Sequence, residues 1–120
     1  MQEDFRIFFN RNRQFFGVYL WDVHPTTFKS WGGGRWGYYD LDTIEHPRRG
    51  RFGDLHLVKS RVRPDLVSHE LDHLRLKWCF VKWIIITPNN EEWFATFGDE
   101  LTRKFWREYA KYINNYTNSI

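Results

Sequence analysis

The stretch "VSHELDHLRL", residues 67–76, decides how the chain is divided. Val67, Leu71, Leu74 and Trp78 recur at i, i+4, i+7 and i+11, an apolar stripe of helical period. Pro64 and Asp65 stand just upstream, a proline suited to a first helical turn and an acid that complements the helix dipole. A helix therefore starts here, and at 100° per residue His69 and His73 fall nearly opposite the stripe, on one face and one turn apart. Glu70 comes between the two faces. Two imidazoles so placed can share a metal ion, with Glu70 reaching a metal-bound water from the side. The plainer reading is two solvated histidines and an ordinary surface glutamate.

Upstream of this helix the chain reads as sheet. "DFRIFF" (4–9) and "FFGVYLWDV" (15–23) are aromatic and β-branched and are separated by the polar "NRNRQ", which predicts a hairpin. "SWGGGRWGYYDLDT" (30–43) holds three consecutive glycines, a turn, followed by a short strand over 36–41. It lacks both the GxGxxG spacing and the GK[ST] of a phosphate loop. "EHPRRGRFG" is a loop, and "DLHLVKSRV" (54–62) is another strand with Leu55 and Leu57 on one face and His56 and Val58 on the other.

Downstream the chain reads as helix. "CFVKWIII" (79–86) continues the first helix or forms a buried strand, and Pro88 ends it in either case. "NNEEWFATFGDELTRKFWREYAKYINN" (89–115) is a second helix with Phe94, Phe97, Leu101, Phe105 and Tyr112 along its apolar side. The expectation is an α+β chain of one domain spanning residues 1–120, its N-terminal antiparallel or mixed sheet followed by the motif helix and a long C-terminal helix.

The bulk numbers bound the function. No run is apolar enough for a secretory leader or a membrane span, and the lone Cys79 has no internal disulfide partner, so a cytoplasmic protein is expected, with no membrane contact. The net charge is only +3, although arginines cluster in "HPRRGRFG" and "KSRVRP", either a solvated loop or a patch for phosphates or an acidic partner. Aromatic residues make up 20% of the chain, more rings than one small core can hide, so some line a groove or an interface.

The run His69-Glu70-Leu71-Asp72-His73, preceded by the strand-like "GDLHLV", resembles the zincin metallopeptidases, and among them the minimal single-domain kind encoded by phages and prophages. The likeness covers about Asp54 to Leu101. It implies a Zn2+ cofactor, a peptide or protein substrate laid along the strand Asp54–Val62 as the sheet edge, and Glu70 as general base toward the zinc-bound water. The chain lacks the metzincin continuation, so the resemblance puts the third ligand on the later helix. There Glu92-x-x-Ala95 resembles the E-x-x-A form of the glutamate-type zincins, with Glu91 and Asp99 as alternatives. Against this, Asn89 as N-cap would make Glu92 a capping-box residue. Asp72 or Asp99 would orient a ligand histidine, and His56, Tyr38 or Tyr39 would stabilise the oxyanion. His24 and His46, each before a proline, are expected in loops facing solvent, and Cys79 in the core.

A second function of another class fits the same residues. The chain would be a binding or structural protein with weak or no catalysis, docking on a protein or nucleic acid. Its surface would be Trp31, Arg35, Trp36 and Tyr38 with Arg48, Arg49 and Arg51, since rings beside cations suit single strands.

Overall fold

In the computed structural model the described residues are 2–22, 37–40 and 50–119, with backbone alone for 38–40 and 116–119. They form an α+β fold, as the pattern predicted: β1 (Phe5–Phe9), β2 (Gln14–Trp21), β3 (Gly37–Asp40), β4 (Arg51–Val58), a single 3-10 turn (Lys59–Arg61), α1 (Pro64–Val81) and α2 (Glu91–Ser119). The expected hairpin is present. β1 and β2 pair antiparallel, Ile7 opposite Phe16 and Phe9 opposite Gln14, and the tight reversal between them puts Asn10, Arg11 and Asn12 at positive φ.

The sheet is mixed, with strand order β1-β2-β4-β3. β4 runs parallel to β2, Val18 opposite Leu55, and antiparallel to β3, Leu57 opposite Gly37. This corrects one expectation: the strand ahead of the motif helix is interior, not an edge. Its backbone groups are taken on both sides, so no extended peptide can add to it.

Alternation along the strands turns Ile7, Phe9, Phe16, Val18, Leu55 and Leu57 to one face, where they are buried. Both helices cover that face. α1 contributes Val67, Leu71 and Leu74 and packs toward β3, while α2 contributes Phe97, Leu101 and Phe105 and packs toward β1. Each of these side chains removes about 1.5–3 kcal/mol worth of apolar surface from water.

The opposite face of the sheet is polar and tightly paired. Arg51 pairs with Asp54, donates to the Tyr19 hydroxyl at 3.0 Å and stands 3.7 Å from Glu3. A Cβ on Gly17 would lie 2.5 Å from the Arg51 guanidinium, so a side chain there would push that group away from its partners. His56 stacks on Tyr19 and accepts the indole N–H of Trp21 at Nδ1, 3.1 Å away. Because an indole nitrogen can only donate, the neutral His56 ring carries its proton on Nε2. Burial, with Arg51 adding to it against the opposing pull of Asp54, lowers the His56 pKa to about 4.

Candidate functional site

α1 brings the two motif histidines together as the spacing predicts. Their Nε2 atoms are 3.3 Å apart and the rings meet edge to face. Glu70 departs from the expectation. Lying three residues after Val67 and four before Leu74, it belongs to the buried stripe and is only 2% exposed. Its Cγ comes within 3.7 Å of where a Cβ on Gly37 of β3 would stand, so it points under the sheet and away from the outward face shared by His69 and His73.

Glu92 is also misplaced for a third ligand, and the helix register explains why. α1 and α2 form an antiparallel hairpin in which Arg75 donates to the carbonyl of Phe94 at 2.6 Å, and Trp78 meets Trp93 and Phe97 with ring centroids 6.1 and 5.3 Å apart. That register sets Glu92 level with residues 77–79 of α1, about one to one and a half turns or roughly 6–9 Å along the axis from His73. Glu92 and its neighbour Glu91 are exposed in the first turn of α2, where carboxylates complement the helix dipole. Asn90, not Asn89, directly precedes the helix, its carbonyl accepting from Phe94 N at 3.1 Å. Asp99 is exposed, Asp72 pairs with Arg75, and burial raises the pKa of the Cys79 thiol, with Arg75 opposing.

Among the described residues no group of three His, Cys, Asp or Glu side chains could hold a metal ion. The zincin reading is therefore corrected in its whole length. A Zn2+ site of His69, His73 and Glu92 with Glu70 as base is not assembled, and with it go the peptidase activity and the family assignment. No family model, no curated protein and no solved structure matches the chain.

The ring-and-arginine surface proposed from sequence fares differently by residue. Trp31, Arg35, Trp36, Arg48 and Arg49, the side chains of Tyr38 and Tyr39, and the loop histidines His24 and His46 lie outside the described residues. Arg51 is described and is half-buried, engaged by Asp54, Glu3 and Tyr19. Its role is within the fold.

Among the described residues most of the large exposed apolar side chains lie elsewhere, at the tip of the α1–α2 hairpin. Phe80, Trp83 and Ile85 are 84%, 92% and 79% exposed, and Leu76, Val81, Ile86 and Trp93 flank them. Local hydrogen bonds make this tip an ordered structure. α1 ends in a Schellman motif: Ile84 N donates to Cys79 O at 2.8 Å and Trp83 N to Phe80 O at 3.2 Å, with Trp83 at φ 60°. The following loop is closed by Asn90, whose Oδ1 accepts from Thr87 N at 2.7 Å and whose Nδ2 donates to Ile85 O at 2.9 Å.

Glycine is the favoured residue at such a left-handed helix end, because a Cβ there costs roughly 1–2 kcal/mol. Trp83 occupies it with almost its whole side chain in solvent. Sequence reasoning placed this segment inside a helix or a buried strand and so missed it. The signal was available: Leu76 and Phe80 follow His73 by three and seven residues, which puts them on the outward histidine face rather than on the core stripe.

Proposed function

We propose that the protein is a docking module that binds another protein through the α1–α2 hairpin tip. The observation that carries this is Trp83, a large aromatic held at 92% exposure in a backbone conformation that disfavours it. Strain of this kind is kept where the side chain is used, and nothing in the core uses Trp83. Taking about 200 Å² for a large side chain, the tip exposes roughly 800 Å² of apolar residues, above the patch size usual on monomers. The hydrogen bonds of Asn90 fix the tip in advance, which lowers the entropy cost of binding.

A protein partner is favoured over nucleic acid because the tip is apolar and its charges are mixed: Lys77 on α1 and Lys82 just after it, Glu91 and Glu92 on α2. A strand of phosphates would meet carboxylates there as readily as cations. The described helices include none long and apolar enough to cross a membrane. A free, buried Cys79 fits a cytoplasmic location, and the one core shared by sheet and helices fits a chain acting as a single unit.

The test is site-directed photo-crosslinking in the cells that make the protein. A benzophenone-bearing residue at position 83 should give discrete protein adducts, and the same residue at position 107, far along α2, should not. Adducts to nucleic acid alone, or no adduct at 83 above the level at 107, would overturn the reading.

A further inference from the structure

Independently of the tip, we infer that Lys104 guards the free edge of the sheet: by holding the Phe8 carbonyl it keeps β1 from pairing with β1 of a second copy. Among the described strands β1 is an outer one, bonded to β2 alone. Its other side is a hazard, because Phe5–Phe9 has four apolar residues in five and neither proline nor glycine. Arg6, the one charged residue of the strand, does not protect that side. It pairs with Glu3 and lies over the Phe15 ring, 4.2 Å from its centroid, on the polar face of the sheet.

Alternation fixes which main-chain groups are bare. In an antiparallel strand the N–H and C=O of one residue point the same way, and those of its neighbours the other. Phe8 O meets Lys104 Nζ at 3.0 Å, so Phe8 turns outward and Arg6, two residues away, does the same, while Phe5, Ile7 and Phe9 turn to β2. Two copies meeting antiparallel about Ile7 would set Arg6 of each opposite Phe8 of the other and exchange main-chain bonds at both pairs. Each pair needs a Phe8 oxygen, and Lys104 already stands on it. An incoming amide nitrogen would have to come within about 2.9 Å of that oxygen, where the ammonium is.

The lysine is held at the edge from behind. Glu100, one turn earlier on α2, pairs with its ammonium at 2.9 Å, and the Lys104 side chain is only 20% exposed. Leu101 and Phe105, both fully buried, anchor the same stretch of α2 in the core, so packing sets the reach from helix to edge.

Lys104→Met tests this, since methionine keeps most of the stem and loses the donors. The purified full chain is followed by sedimentation equilibrium over a roughly hundredfold range of concentration, beside hydrogen exchange at the Arg6 and Phe8 amides. The wild type should keep a single-chain mass. Lys104→Met should pass to twice that mass, with exchange at both amides slowed at least tenfold as it does so. Lys104→Arg, which keeps the charge and a donor, should behave as the wild type. Should Lys104→Met fail to fold by circular dichroism, Lys104→Leu is read in its place. A single-chain mass for the apolar variant at every concentration, equal association by Lys104→Arg, association that leaves exchange at Arg6 and Phe8 unchanged, or a wild type whose own Arg6 and Phe8 amides slow with concentration would each overturn the proposal.

Discussion

Arg75 of α1 donates to the main-chain carbonyl of Phe94 in α2 at 2.6 Å, and this bond fixes the register of the helical hairpin. Its guanidinium lies over the Phe94 ring and in the space left by Gly98, where a Cβ would fall 2.6 Å from Arg75 Cζ. Two substitutions should therefore be strongly coupled. Gly98→Ala in the wild type should destabilise by about 1–3 kcal/mol, since Arg75 must leave a half-buried site with its hydrogen bonds. In an Arg75→Ala background the same change should stabilise, by up to about 1 kcal/mol, because only the helix propensity of alanine over glycine remains. Urea denaturation of the four-member cycle measures the sign change.

His56 makes stability depend on pH. Its folded pKa is about 4, below the ordinary 6.5, because burial disfavours the charged ring and Arg51 adds to that, with Asp54 opposing. The unfolded chain thus takes up this proton at a higher pH than the folded one, so unfolding is favoured as pH falls. The contribution is fully present above pH 6.5 and is lost as pH drops toward 4. The gap corresponds to about 3 kcal/mol. Denaturation midpoints between pH 7.5 and 4 should fall accordingly, and His56→Gln should flatten that part of the curve. A wild-type profile already flat from 6.5 to 4 would contradict the buried neutral imidazole.

The motif histidines should be indifferent to metal. Excess chelator should leave the Tm of the purified protein unchanged, and His69→Ala or Glu92→Ala should each alter stability by less than about 0.5 kcal/mol, as exposed positions do. A fall of several degrees on chelation would mean that His69 and His73 hold a metal with a ligand from outside the described residues.

Glu70 behaves oppositely to the surface base expected from the motif. Its side chain is enclosed between α1 and β3, so Glu70→Ala should leave a cavity and cost about 2 kcal/mol or more, with the loss read in thermal unfolding. An unaltered Tm would place the side chain in solvent after all.

What was legible in the sequence follows from local physics. The β1–β2 hairpin came from two aromatic runs around a polar turn, and the start of α1 from Pro64 and its stripe; both depend on residues close in the chain. The interior position of β4 did not show, because it depends on parallel pairing with β2, a partner more than thirty residues away. The motif misled for a related reason. Spacing sets His69 and His73 side by side on any helix, but a third ligand depends on the α1–α2 register, which Arg75, Gly98 and Trp78 decide. Glu70 was assigned to the helix flank although its i+3 relation to Val67 and i−4 relation to Leu74 put it in the buried stripe.

The most direct measurement of the central claim is Trp83→Gly, assayed on one preparation for stability and for association with the partner protein. Glycine relieves the left-handed strain at the end of α1, so the variant should be at least as stable as the wild type, by up to about 1 kcal/mol in denaturant. It should at the same time lose the adducts and the association that the tip provides. A variant that unfolds more easily would show that Trp83 serves the fold, and one that associates as the wild type does would show that the tip is not the docking surface.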